Sequence, residues 1–252
     1  MKAAFGLLEN LLSTHNDEGF GNSEEEIAEK EAGLGIKFPE LIRDYYKKYG
    51  RCNYIAQDCN NQYEPLLLQD FFIPGEDFFA DDKDYLVFYQ CKESVIYCSI
   101  KLSDLWIEDP PIYICVWDNP GWYLENSSLS NFLVCKALIQ IALDGRLPYW
   151  AFFGESMWKL SDYCKAWQIS DDCIEIEETT PTPAWKIFIK DDVLIVLESA
   201  LDENEDYILG VSLASFDKAS VKKMLLVNTQ AGELPHYQTN LLAGTGRNGI
   251  YE

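Results

Sequence analysis

Forty-two carboxylates, eight cysteines and two histidines are the side chains from which this 252-residue sequence could build chemistry. The histidines, His15 and His236, lie far apart, and no C-x-x-C, H-E-x-x-H or G-x-S-x-G is present. Cys52/Cys59 and Cys91/Cys98 share a spacing of seven, yet no further pair or histidine completes a zinc site. Cys115 and Cys135 sit inside apolar runs, where a thiol behaves as a small core hydrophobe. Gly244-Thr245-Gly246-Arg247-Asn248-Gly249 is a literal G-x-G-x-x-G. A dinucleotide fingerprint must follow a strand and open a helix, so a flexible glycine turn is the expected reading. A calcium loop starting at Asp202 would need Gly and Glu where Tyr207 and Leu213 stand. Paired carboxylates of the glycosidase kind depend on spatial proximity, which a sequence does not display. The expectation is a protein without catalysis, metal or cofactor.

Composition narrows the class. Hydrophobic residues make up 48% and aromatics 14%, enough for a packed core. No apolar run reaches the roughly 20 residues that span a bilayer. Glu9, His15 and Asp17 interrupt the N-terminal apolar patch too early for a secretory signal, so a cytoplasmic location with reduced thiols is expected. The net charge of −22 is spread over the chain, with 25 acidic against 12 basic residues in 1–150 and 17 against 8 in 151–252. Such a surface repels phosphate backbones, so nucleic acid is not an expected partner; a basic protein is.

Any site must be held by elements that the hydrophobic periods outline. Residues 3–12 read as a short amphipathic helix. Ser23 with Glu26 forms a capping-box pattern that opens a helix over 24–33, ended by Gly33-Leu34-Gly35. Pro39 starts a second helix, which Gly50 closes. Residues 85–91 and 94–100 alternate as strands joined by Lys92-Glu93. A third strand, 112–117, enters through Pro110-Pro111 and leaves through the turn 118–121. A long apolar helix over 131–144 ends at Gly145. Beyond it the pattern predicts helices near 156–168 and 217–226 and strands near 184–190, 193–200 and 206–214. Asp191-Asp192 reads as a hairpin turn, 202–206 as an acidic turn, and the last twenty residues as loop.

Residues 23–50 carry the most specific pattern. Ile27, Glu31, Leu34, Gly35, Ile36, Phe38, Pro39, Leu41, Tyr45, Tyr46, Tyr49 and Gly50 follow the order of the opening motif of the SMI1/KNR4 (SUKH) superfamily, with Tyr49 where that family often has Asn. Pro110-Pro111-Ile112-Tyr113, then Trp117 or Trp122, then Ser128-Leu129-Ser130-Asn131-Phe132-Leu133, resemble its second conserved stretch. The resemblance covers about 20–145, so a domain over 1–145 is expected, with 146–252 an α+β extension or small second domain. It implies an α+β fold, N-terminal helices packed on a mainly antiparallel sheet. Read physically, the same residues clamp two helices onto a sheet and name no active site.

Many bacterial members of that family resemble immunity proteins, which bind and neutralise a cognate toxin, often a nuclease. The resemblance therefore implies a protein-binding module whose acidic surface meets a basic toxin domain. The candidate partner-binding residues are Glu76, Asp77, Asp81, Asp82 and Asp84, Phe78 among them, and Trp117 and Trp122 beside the turn 118–121. The alternative it implies is regulation of cell-wall glucan synthesis through protein interactions.

Overall fold

A computed structural model describes residues 21–51, 63–76, 78–79, 82–91, 94–143, 147–154, 159–166, 174–177, 184–202, 205–230, 237–239 and 241. The helix expected over 3–12, both histidines, Lys92-Glu93, Gly145 and the glycine run 244–249 lie outside them. The architecture is α+β, as the sequence predicts, with helices and two antiparallel sheets. The chain forms two compact units, residues 1–137 and 138–252.

In the first unit, helices α1 (Glu24–Leu34) and α2 (Glu40–Tyr49) precede a five-stranded sheet. Its strands are β1 (Tyr63–Pro65), β2 (Tyr85–Cys91), β3 (Ile96–Lys101), β4 (Ile112–Val116) and β5 (Asn119–Asn126), paired in that order. The capping box forms as expected: the Glu26 N–H donates to Ser23 Oγ at 3.1 Å and the Ser23 N–H to Glu26 Oε2 at 2.7 Å. Gly35 ends α1 in the left-handed region, φ 70°. Gly50 ends α2 with right-handed geometry; here glycine serves close approach, because a Cβ would collide with Asn22 Oδ1 and lie 2.7 Å from the Tyr46 carbonyl oxygen.

Between the two helices a carboxylate is fully buried. Glu31 accepts from the Phe38 N–H at 2.9 Å, from Lys37 Nζ at 2.7 Å and from Arg43 Nη1 at 2.6 Å. Arg43 also pairs with Glu24. One side chain of α1 thereby holds the connecting loop and the second helix.

Phe71 and Phe72 send their rings to opposite faces of the sheet. Phe71 packs against Phe38, Tyr46 and Phe88 at centroid distances of 5.5, 4.9 and 6.2 Å, on the side where the helices lie. A bulge in β2 turns both Phe88 and Tyr89 toward Phe132 of α3 (Leu129–Leu143), at 5.9 and 5.2 Å. Asp109 fixes the start of α3, accepting from the Ser130 N–H at 2.8 Å and from the hydroxyls of Ser128 and Ser130 at 2.9 and 2.7 Å. Lys136 pairs with Glu125 at 3.3 Å where both are nearly inaccessible. The turn expected at 118–121 is shorter: Asn119 already pairs with Val116, and the chain continues as β5.

The second unit is a six-stranded antiparallel sheet in the order β11-β6-β10-β9-β8-β7. Its strands are β6 (Tyr149–Gly154), β7 (Ile174–Glu177), β8 (Ala184–Lys190), β9 (Val193–Asp202), β10 (Glu205–Ser215) and β11 (Tyr237–Thr239). Helices α4 (Leu160–Ala166) and α5 (Lys218–Gln230) accompany it. Phe153, Ile195, Leu197, Val211 and Leu213 from one sheet face form a core with Tyr163, Val221 and Met224. β11 lies in the stretch expected to be loop. Its Thr239 donates a side-chain hydrogen bond to the Trp150 carbonyl at 2.8 Å.

Asp191 and Asp192 have φ of 48° and 63°, the double left-handed geometry of a type I′ hairpin. Asp217 caps α5, accepting from the Ser220 N–H at 2.9 Å, its hydroxyl at 2.7 Å and the Ala219 N–H at 3.2 Å. The Ser220 hydroxyl and these amides hold the Asp217 carboxyl below the usual aspartate range, and Lys223 at 2.7 Å does the same for Asp191.

Glu31→Ala takes the acceptor from the buried Phe38 N–H and one of the carboxylates that hold Arg43, so it should cost about 1–3 kcal/mol in urea denaturation. Asp191 and Asp217 have folded pKa values below their unfolded ones. Their stabilisation is complete above the unfolded aspartate pKa and is lost as pH falls through the lowered values. Asp191→Asn with Asp217→Asn should therefore flatten the acid limb of thermal stability measured against pH.

Candidate functional site: an aromatic sheet face

The sheet face opposite α1 and α2 carries a continuous run of rings, because β-strand side chains alternate and Tyr85, Tyr97 and Tyr113 fall in the same phase. Tyr85 stacks on Trp122 of β5 at 4.6 Å and meets Tyr113 edge-on at 5.6 Å. Trp122 lies nearly parallel to Phe78, interplanar angle 9° and centroids 6.3 Å apart. Phe78 stacks on Phe79 at 4.5 Å, and Phe79 meets Trp117 at 5.1 Å. Tyr97 and Phe72 brace the middle, 5.0 and 5.6 Å from Phe78.

This layer is only partly covered. Trp117 is 58% exposed, and Leu124 of β5, which lies opposite Tyr113, is exposed as well. Trp122 is half-buried, with an indole N–H that finds no hydrogen-bond partner among the described residues. Trp106, in the turn after β3, is 83% exposed.

Carboxylates crowd one end. Burial chiefly, and then the charge of Asp82, the neighbouring Tyr113, Asp84 and Asp104, push the Tyr85 phenol above the ordinary tyrosine range. The Leu102 N–H donates to the Asp84 carbonyl at 2.7 Å, tying the turn that carries Asp104 to the loop that carries Asp82 and Asp84.

Of the residues expected from the sequence, the structure gathers Phe78, Trp117 and Trp122 into one cluster and sets Asp82 and Asp84 at its Tyr85 end. Glu76 is exposed and paired with Lys83 at 3.4 Å. Asp77 and Asp81 lie outside the described residues. Sequence reasoning missed Phe72, Tyr85, Tyr97, Tyr113 and Asp104. Their signal was the two-residue period of β2 to β4, which becomes a surface only once the register is known.

A concave feature of the first unit lies elsewhere. A groove of about 700 Å³ is lined by Asn22, Glu26, Lys30, Gly33, Arg51 and Leu67, among others. Three of its charged groups already have partners, Arg51 clasping Glu26 at 2.6 and 2.8 Å and Lys30 donating to the Gln69 carbonyl at 2.7 Å, while Glu29 also lines it. The Ser23 N–H, foremost, holds Glu26 below the usual glutamate range, opposite to what a carboxylic general acid needs. Among the described residues no three His, Cys, Asp or Glu side chains come together as metal ligands, and no helix is long and apolar enough to cross a membrane.

Residues 21–135 match the SMI1 / KNR4 family (SUKH-1). This segment is an SMI1/KNR4 domain. The match starts just before α1 and stops within α3, so it takes in the Glu31 clamp, the whole five-stranded sheet and the aromatic face. No curated protein and no solved structure matches the chain. The SMI1/KNR4 signature residues Ile27, Glu31, Phe38, Tyr45 and Tyr46 are buried, while the aromatic face is built outside that opening motif.

The exposed and the half-buried tryptophans should separate in solution. Trp117→Phe should remove an acrylamide-quenchable fraction of the fluorescence at unchanged thermal stability. Trp122→Ala, which strips Tyr85 of its stacking partner and leaves Phe78 only Phe79, should destabilise by about 1–3 kcal/mol.

Proposed function

We propose that the protein is a non-catalytic binding module, an immunity protein that neutralises a basic toxin domain, and that the aromatic sheet face is its docking surface. The observation that carries this reading is the pairing of a partly exposed ring layer, Phe78, Phe79, Trp117 and Trp122, with carboxylates gathered at its Tyr85 end. Rigid aromatic side chains supply the large contact areas on which protein interfaces depend. Asp82, Asp84 and Asp104 add a local negative field to a chain of net charge −22, which speeds encounter with a cationic partner and disfavours an anionic one. Membership of residues 21–135 in the SMI1/KNR4 family supports a binding role.

The sheet edges favour docking on the face. β5 contains Pro120 and two register shifts, and β1 is three residues long and ends in Pro65. Such devices discourage a partner from adding a strand.

Co-expression with a basic toxin domain encoded beside its gene should yield a complex that protects cells and weakens with salt. Trp117→Ala should lower its affinity at least about 30-fold, the scale of a hot-spot residue. Asp82→Asn with Asp84→Asn should slow association more than they hasten dissociation, read by surface plasmon resonance. An affinity indifferent to all three substitutions would remove this face from the interaction.

A further inference from the structure

Trp106 is the most exposed large hydrophobic side chain among the described residues, at 83%, and it stands in the turn between β3 and β4. Tryptophan is well covered in most proteins, so an indole this bare calls for a reason. Leu105 and Ile107 on either side of it are half-buried. The turn therefore anchors its flanks in the molecule and offers the indole alone.

The frame around that indole is fixed at both ends. At its start, Leu102–Asp104 form a 3-10 turn, and the Leu102 N–H donates to the Asp84 carbonyl at 2.7 Å. The Leu105 N–H donates to the Leu102 carbonyl at 3.4 Å, and the Ile107 N–H to the Asp104 carbonyl at 2.9 Å, which brackets Trp106. At its end, Pro110 and Pro111 restrict the backbone, and the Pro110 carbonyl accepts from the Leu129 N–H at 2.8 Å. Asp109 is tied to the start of α3 through Ser128 and Ser130. A side chain presented from such a frame has little freedom left to lose when it is covered.

Charge narrows what covers it. Asp104 and Glu108 lie two residues to either side of Trp106, and Glu108 is exposed. A second copy of this chain, with the same net charge of −22, would set carboxylate against carboxylate. A lipid surface suits the indole but would take the neighbouring carboxylates out of water unpaired. A cationic protein satisfies both groups. Because the indole projects alone, only a concave surface touches it on several sides.

We infer that Trp106 is an anchor that seats in an apolar pocket of a cationic protein, with lysine or arginine at the pocket rim facing Asp104 and Glu108. The inference rests on the binding role proposed above and adds a contact that lies outside the ring layer. Buried tryptophan anchors surrounded by complementary polar groups carry much of the affinity in protein interfaces.

The test is surface plasmon resonance of the full chain against the basic toxin domain encoded beside its gene. Trp106→Ala should lower affinity at least about 30-fold, the scale of a hot-spot residue, chiefly through faster dissociation. Its thermal stability should match the parent's, because the side chain is so largely exposed. Trp106→Phe should keep part of the affinity. Glu108→Gln should slow association at low salt and leave dissociation nearly unchanged. Phosphatidylcholine vesicles should not bind the chain; vesicle binding that Trp106→Ala abolishes would assign the indole to lipid and overturn the anchor. Affinity lost with Trp106→Ala but not with Trp117→Ala upholds the anchor and removes the sheet face. Affinity lost with Trp117→Ala alone upholds the sheet face and overturns the anchor. Absence of any complex overturns both.

Discussion

The first unit is organised around the carboxylate of Glu31. A carboxylate inside a protein is tolerated only when its lone pairs are filled, and here the Phe38 N–H, Lys37 and Arg43 all contribute. Those donors come from the loop after α1 and from α2, so filling the lone pairs fixes the angle between the helices. That angle sets Phe38, Tyr46 and Ile42 against Phe71 and the sheet. With Phe71 held on one side, the next residue must go to the other, and Phe72 becomes the first ring of the aromatic face. A buried ion pair on one side of the sheet and an exposed ring layer on the other are successive links in one chain of constraints.

In the proposed docking role, the two ends of the aromatic face would serve different stages of recognition. Charge acts at a distance, so carboxylates near Tyr85 influence the approach of a partner before any contact forms. Rings act only on contact, so in the proposed docking role Trp117 and Phe79 would govern how long a complex lasts. The stacking between these ends, through Trp122 and Phe78, reduces the side-chain freedom left to be lost on binding. A preorganised layer of this kind suits tight binding better than an equal area of mobile apolar side chains.

Much of the fold was legible because its signals are local. Ser23 with Glu26, Gly35, the strands 85–91 and 184–190 and the Asp191-Asp192 turn each depend on neighbours a few residues away. The elements that escaped notice depend on distant partners. β1 exists only because Tyr63 to Pro65 pair with 89–91, and β11 only because 237–239 find β6. The same division holds for the site. Phe78, Trp117 and Trp122 stood out by residue type, but Tyr85, Tyr97 and Tyr113 have the ordinary look of strand residues. Which face they occupy follows from register, and the bulges in β2 and β5 shift it in ways no period reveals.

The helix α3 ties ancestry and folding together in an unexpected way. It runs from Leu129 to Leu143 without interruption, yet the family match stops at 135 and the two compact units meet between 137 and 138. Residues 132–142 are buried without exception, so neither half of the helix has a face made for water. A chain cut at the end of the recognisable domain would finish in mid-helix, with its last turns missing and its apolar flank bare. The inherited unit and the folding unit therefore have different borders. The boundary between the two compact units falls inside a helix, at 137 and 138, and not in a loop.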